Sequence, residues 1–560
     1  MLFTLLAALF VNDAQCTPCH QKIVHTFHDV GMSKSFYRPR QDDAIEDFAK
    51  LPFKHAKSGD VMELRWRDGR LIFRRVRGES VFEQPVDWIL GSGHHARTYL
   101  YQTPNGELYQ LPLAWYTPTK EWGMAPGYDR RDHDGVLRRA RHECLFCHNA
   151  YGAPASAPAG GEASRLTYWS NQTFPAILPE GIGCQRCHGP GSEHVALADA
   201  GAENAAVRAA IVNPARLDVR LRNDVCYECH LQPSVAIPGV RRFGRDIDSY
   251  RPGQPLIDYL ARLDIVDTEI ARPDRFEINH HPYRLEQSRC FRESGGKLSC
   301  LSCHDPHRRT GNVSPVCKQC HENAHRANED CASCHMPKRR TQDVVRVVMT
   351  DHRIGIVRDA AKLLAPREER DPVIADIELP DPLYRAVAAL RAGSASAARQ
   401  LETLLAAKPS PDVEPYFDLA AAELRQRRYD AVEATSRLIL ARVPDHPLAL
   451  EWLGLARANR GARDEGIALL RKAAALDPRR VETQYNLGLQ LAERGDRDDA
   501  IAAFERAVAG RPNFVLAWFH LGQQRAAAGQ RDAAVAAWKR ALDIDPNFVR
   551  AAAALSSPPP

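Results

Sequence analysis

The sequence predicts a mainly α chain in two parts. A cysteine- and histidine-rich region with few regular elements and a small β-rich insert comes first, and a solenoid of paired α-helices follows. Three observations predict this. The chain spells Cys-x-x-Cys-His seven times, at Cys16, Cys144, Cys184, Cys226, Cys300, Cys317 and Cys331. Between the first two motifs the polarity period switches to two, the signature of half-buried strands. In the last third, Pro444, Pro478, Pro512 and Pro546 recur every 34 residues, a period that belongs to stacked helical hairpins.

The motifs use fourteen of the fifteen cysteines: Cys16 and Cys19, Cys144 and Cys147, Cys184 and Cys187, Cys226 and Cys229, Cys300 and Cys303, Cys317 and Cys320, Cys331 and Cys334. Two thiols three residues apart can both add to the vinyl groups of one porphyrin, and the next residue then reaches the iron. That residue is His20, His148, His188, His230, His304, His321 or His335. A zinc half-site or a thioredoxin-type pair requires no histidine at that position. Seven covalently bound haem c groups are therefore expected, and the N-terminal part is expected to be a multihaem c-type cytochrome domain.

The sixth iron position separates a relay from an enzyme: a second protein ligand closes it, and an open position can take a substrate. Thirteen further histidines precede residue 355. The candidate distal ligands are His194 and His307, which follow the Cys-His-Gly-Pro and Cys-His-Asp-Pro segments, together with His95, His133, His325 and His352. For the first haem, His25, His28 and Met32 compete. His55, His94 and His142 read as non-ligands, and His280 and His281 are left open. Cys290 has no intrachain partner once the others hold haem. It is either a buried thiol or a redox-active group beside the fifth motif.

Between the first two motifs, Met62, Leu64 and Trp66 alternate with Glu63, Arg65 and Arg67, and Asp68-Gly69 offers a hairpin turn. A second hairpin is expected around Asn105-Gly106. The β-rich insert is thus placed at about residues 56–116, inside a cytochrome domain of residues 16–355. Residues 356–380, charged and rich in proline, read as a linker.

From residue 381 to 553 the chain resembles the tetratricopeptide repeat family. Gly461, Gly495 and Gly529 keep the 34-residue period, as do Leu453-Gly454, Leu487-Gly488 and Leu521-Gly522, and the large residues Leu470, Phe504 and Trp538. The first full unit departs from it, with Ala420 and Arg427 at the glycine positions, as a terminal repeat does. The resemblance implies two antiparallel helices per repeat and a surface on which a redox partner protein docks. The cytochrome part is expected to stand without it.

The layout as a whole resembles multihaem proteins related to cytochrome c554 and hydroxylamine oxidoreductase. The carrying segments are Gly31-Met32, residues 93–99 (GHHARTY), 184–191 (CQRCHGPG), 251–253 (RPG), 300–307 (CLSCHDPH) and 331–338 (CASCHMPK). The resemblance implies a bacterial electron carrier outside the cytoplasmic membrane, hence periplasmic or otherwise extracytoplasmic. It departs from the related enzymes: no Cys-x-x-Cys-Lys occurs, and the haem-linking tyrosine has no counterpart that can be placed. The expected function is electron relay. The alternative is a multihaem oxidoreductase acting on a small nitrogen or sulfur compound at a five-coordinate haem.

Residues 1–15 read as a signal-like segment; the apolar run at 1–11 (MLFTLLAALFV) resembles the core of an export signal but has no basic flank. No other stretch approaches a bilayer span, so the chain is expected not to be transmembrane, with peripheral membrane association left open. A formal charge of +5 over 560 residues is too small to signal nucleic-acid binding.

Overall fold

The structure, a computed structural model, describes residues 10–150, 168–234, 239–321, 330–356, 359–370 and 372–556. The signal-like segment therefore lies mostly outside the described residues, as does His325.

The β-rich part is wider than residues 56–116. Four strands, β2 (Phe53–Lys54), β3 (Val61–Arg67), β4 (Arg70–Arg77) and β5 (Ser80–Pro85), form one antiparallel meander. The second sheet takes β1 (Phe36–Tyr37), β6 (Trp88–Leu90), β7 (Ala96–Gln102), β8 (Leu108–Tyr116) and β10 (Arg139–Ala140) in the order 1-6-7-8-10, with β9 (Glu121–Met124) also on β8. Its outer strands are two to four residues long, too short for a period of two to show in the sequence. Where the alternation is longest it holds: Met62 and Leu64 are buried while Arg65 and Arg67 are exposed. The chain reverses through Asp68 and Gly69, both at positive φ, the two-residue turn whose twist matches the flanking strands.

The seven motifs sit on short helices: α1 (Thr17–Phe27), α2 (His142–His148), α3 (Cys184–His188), α4 (Val219–His230), α5 (Cys300–Cys303), α6 (Ser314–Lys318) and α7 (Cys331–His335). Loops and two-stranded ribbons join them. The expected linker is tied down instead, because Ile374–Glu378 pairs antiparallel with Asp264–Asp267. Backbone pairing holds this strand while only Ile377 of it is fully buried, so its composition reads as a linker.

The C-terminal array pairs α8 (Pro382–Arg391) with α9 (Ala397–Ala407), α10 (Glu414–Arg425) with α11 (Tyr429–Arg442), α12 (Pro447–Asn459) with α13 (Arg463–Leu476), α14 (Val481–Arg494) with α15 (Arg497–Gly510) and α16 (Val515–Ala527) with α17 (Arg531–Ile544); α18 (Val549–Ser556) caps it. The Leu-Gly glycines are where paired helices touch: a Cβ on Gly522 would stand 2.3 Å from Trp538 Nε1. Arg427, at the glycine position of the first full unit, itself takes a positive φ.

The array does not hang free. The loops joining one helix pair to the next rest on the N-terminal part. Asn105 donates its backbone N–H to Gly510 O (3.1 Å) and its side-chain amide to Arg479 O (3.1 Å), and Asn513 donates to Tyr101 Oη. The Arg75 guanidinium, buried in β4, donates to the carbonyls of Asp543 and Ile544 at the C-terminus of α17, where unpaired carbonyls favour a cation. Glu107, Arg139, Glu482 and Arg511 form an ionic cluster across the same seam, with Glu107 wholly buried. Val515, Phe519 and Ile544 belong to one hydrophobic core with Leu71, Phe73 and Phe82. The N-terminal part and the repeats therefore share a core, contrary to two parts that stand alone.

Candidate haem sites

One turn of helix explains the motif. Residues three apart share a helix face and the fourth lies just beyond, so one helical turn can bring both thiols and the imidazole of a motif together; in the sixth motif Cys320 and His321 follow the end of α6. Gly189, at positive φ, turns the chain away immediately after His188.

Two imidazole nitrogens held about 2 Å on either side of one metal ion separate their ring centroids by roughly 6 Å. Among the described residues four motif histidines face a second imidazole at that spacing. His20 lies 6.3 Å from His194 with planes 17° apart, and His188 lies 5.9 Å from His307 at 16°. His304 lies 6.1 Å from His352 at 25°, and His230 lies 6.2 Å from His281 at 55°.

The rings are oriented by their other nitrogens. His188 Nδ1 donates to Val212 O (2.8 Å), His194 Nδ1 to Val207 O (2.8 Å) and His352 Nδ1 to Thr350 O (3.1 Å). A carbonyl only accepts, so Nδ1 carries the proton and Nε2 keeps its lone pair, the arrangement typical of metal-ligating histidine. His335 Nδ1 donates to Gly355 O (3.2 Å), and His304 Nδ1 lies 2.7 Å from Thr310 Oγ1. Burial favours the neutral form of His188, His304 and His352, as ligation requires. His352 and His148 are depressed to about 4, and His281 falls well below the usual histidine range.

The remaining space fits porphyrins. Residues of six of the seven motifs, all but the first, line a cavity of about 3190 Å³, several times the roughly 300–1,000 Å³ of an ordinary ligand pocket. Its walls carry thiols of Cys144, Cys147, Cys187, Cys226, Cys229, Cys300, Cys303, Cys317, Cys320, Cys331 and Cys334. His148 Nδ1 and His281 Nδ1 are buried there without hydrogen-bond partners. Arg275 is also in the wall, with Nε and Nη1 buried and unpaired while Nη2 binds Asp264. Such a fork suits a propionate carboxylate.

The motifs abut one another. Cys184 N–H donates to Asp13 Oδ2 (2.8 Å), and the ligand atoms of Asp13, Cys16 and Cys184 lie within 4.8 Å of each other. Arg186 of the third motif donates to the carbonyls of Phe146 and Asn149 beside the second. Helices α2 and α4 pack together, as do α6 and α7. Cys300 N–H donates to Asn223 Oδ1 of α4 (3.4 Å), and Cys331 N–H to Ser314 Oγ (2.9 Å).

Several sequence expectations need correcting. The imidazole facing His20 is that of His194; His25 and His28 are exposed on or beside α1, and Met32 lines the cavity wall with His148. His133 belongs to the β-rich part: its Nε2 lies 3.1 Å from Asp60 Oδ2 and its Nδ1 accepts from Gly135 N–H (3.1 Å), so neither nitrogen is left for iron. His95 lines the cavity, its protonation disfavoured by burial and by Lys338. Of the two open residues, His281 faces His230, whereas both nitrogens of His280 are engaged, by Glu277 N–H and Pro233 O. Nothing in the sequence separates that adjacent pair. His55 sits between Ser58 and Asp129, His94 against Arg309 and His142 against Asn171 O. Cys290 is half-buried in the same cavity wall.

No helix among the described residues is long and apolar enough to cross a membrane. The tetratricopeptide repeat family matches residues 485–555. No curated protein matches the chain. Among solved structures, the chain is similar to a crystal structure of MamA, with 25% identity over 28% of this chain and 90% of that one, at a TM-score of 0.25. It is similar to YrrB, described as a tetratricopeptide repeat protein with an unusual peptide-binding site, at 18% identity, 31% and 91% coverage and a TM-score of 0.26. It is also similar to a thermophilic tetratricopeptide repeat protein in Thermus thermophilus, at 22% identity, 31% and 95% coverage and a TM-score of 0.27. The C-terminal array is a set of tetratricopeptide-like repeats, modules that typically bind proteins.

Proposed function

We propose that this chain is an extracytoplasmic seven-haem c-type cytochrome that relays electrons. The observation that carries the reading is the set of four imidazole pairs at close to 6 Å. Two histidines on one iron close both axial positions, so the metal changes oxidation state without taking a substrate. The haem supplies the redox couple when bound. The protein's own residues fix its axial ligands through backbone carbonyls and offer Arg275 to its carboxylates. Contact between neighbouring motifs supports haems close enough for direct transfer. The repeats would hold or receive redox partner proteins.

A second reading is favoured by one observation. Among the described residues no second imidazole stacks against His148, although its ring is buried in the cavity wall. A haem held there with an open sixth position would be the place for oxidoreductase chemistry on a small nitrogen or sulfur compound.

Expression in a host that matures c-type cytochromes tests both readings. The relay predicts an intact mass carrying seven haem adducts and no high-spin ferric signal. One high-spin haem that binds carbon monoxide after reduction favours the second reading. A mass equal to the bare polypeptide refutes both.

A further inference from the structure

The concave side of a helical repeat array is where an extended partner peptide would lie, and here part of it is already filled by the chain. We propose that Tyr168 and Trp169 occupy the groove of the first repeats in cis, and that this contact positions the second motif.

Trp169 meets Trp452 of α12 edge to face, with centroids 5.7 Å apart at 82°, and Trp452 meets Phe417 of α10 in the same way at 5.9 Å and 68°. The Arg391 guanidinium at the end of α8 lies 4.0 Å from the centre of the Tyr168 ring and binds both carboxylate oxygens of Asp418 at 2.8 Å. Asn171 donates to Asp477 (3.3 Å) at the end of α13. Four helices thus converge on this short segment. The Asp418 carboxylate of α10, bound by the Arg391 guanidinium that covers Tyr168, is almost inaccessible. A carboxylate as buried as that of Asp418 is normally paired, and its partner Arg391 is the side chain that covers Tyr168.

The other side of the same segment grips the second motif. Arg141, the residue before α2, also lies over the Tyr168 ring at 4.2 Å and donates to its carbonyl (3.0 Å). His142 N–H, opening α2, donates to Gln172 Oε1 (2.8 Å). Tyr168 is therefore held between Arg141 of the motif and Arg391 of the array, two cation–π contacts on one ring. The segment is a strap from the helix that carries Cys144, Cys147 and His148 to the repeats. The recognition chemistry of these repeats, an aromatic pair flanked by amide and guanidinium contacts, is satisfied by the chain itself. A partner bound in trans would then use other surfaces of the array.

The contact stands apart from the haem reading; only the spectroscopic arm of its test rests on that reading. In the full-length holoprotein, Trp169→Ala and Trp452→Ala should each speed amide exchange in residues 141–148 and 168–172 by several-fold to about tenfold, the range that loss of an aromatic pair supports. The double variant should exchange no faster than either single one, because the two act through one contact. The helical circular dichroism of the array should be unchanged, and the absorption or magnetic resonance signature of one haem should move. Unchanged exchange at 168–172 in Trp452→Ala, or additive effects in the double variant, overturns the proposal. If Trp452→Ala unfolds the array, Trp169→Ala paired with Asp418→Asn gives the same decision. A protein that carries no haem defeats the proposed function, whereas the exchange measurement still decides the groove.

Discussion

The imidazoles of His20 and His194 stand 6.3 Å apart with their planes only 17° from parallel, although one belongs to the first motif and the other follows the third. His194 is held by the carbonyl of Val207 through Nδ1, so the nitrogen presented to its neighbour is the one that can ligate a metal. The relationship brings a histidine of the first motif and one that follows the third to the same place in the fold.

Replacing His194 should therefore change one haem and leave the other six. In the holoprotein, His194→Ala is expected to convert one low-spin ferric haem to high spin, read by electron paramagnetic resonance, while His28→Ala leaves the spectrum unchanged. The opposite result would return the sixth position to the helix of the first motif.

Arg511 is the hub of the ionic seam, reaching both Glu107 and Glu482. Arg511→Met leaves the buried Glu107 and the part-buried Glu482 carboxylates with Arg139 as the remaining ion-pair partner they share. Loss of one partner of a buried pair costs about 3–5 kcal/mol. Urea unfolding should show a drop of that order, smaller for Arg511→Lys, which keeps the charge.

Gly522 has no room for a side chain. A Cβ there would meet Trp538 at 2.3 Å, and overpacking of this kind costs about 1–3 kcal/mol. Gly522→Ala should lower the midpoint of array unfolding, and Trp538→Leu in the same chain should restore part of it.

Asp343 is raised to about 7, first by burial and then by the neighbouring Glu277 carboxylate. Its ordinary value is 3.8, so the folded state keeps a proton that the unfolded state loses. Stability should fall as pH rises from about 4 to 7 on this account and stay low above. Asp343→Asn, which cannot ionise, should match the parent at pH 4 and exceed it at pH 8 in thermal unfolding.

Removing residues 381–560 should not be neutral for the rest. Val515, Phe519 and Ile544 complete the core that contains Leu71 and Phe82, and each large apolar side chain brought into water costs about 1.5–3 kcal/mol. The truncated chain should melt well below the parent, with the β-rich part losing exchange protection first.

What the sequence by itself determined is the chemistry that is local in the chain. A Cys-x-x-Cys-His needs only one helical turn to assemble, so its residues could be named before any fold was known. The 34-residue period likewise names the helix pairs, because the contact of Gly522 with Trp538 lies within one repeat. The Met62–Leu64–Trp66 alternation marked the longest strands, but two-residue strands such as Phe36–Tyr37 carry no period and escaped notice. Only the tertiary structure decided which imidazole faces which. His281 and His280 are adjacent and chemically identical, yet one turns to His230 and the other to Pro233 O. That choice depends on the path of remote segments around a common cavity. The same holds for the repeats. Their period predicts a groove, but what fills it is set by where Tyr168 and Trp169 are carried by the rest of the chain.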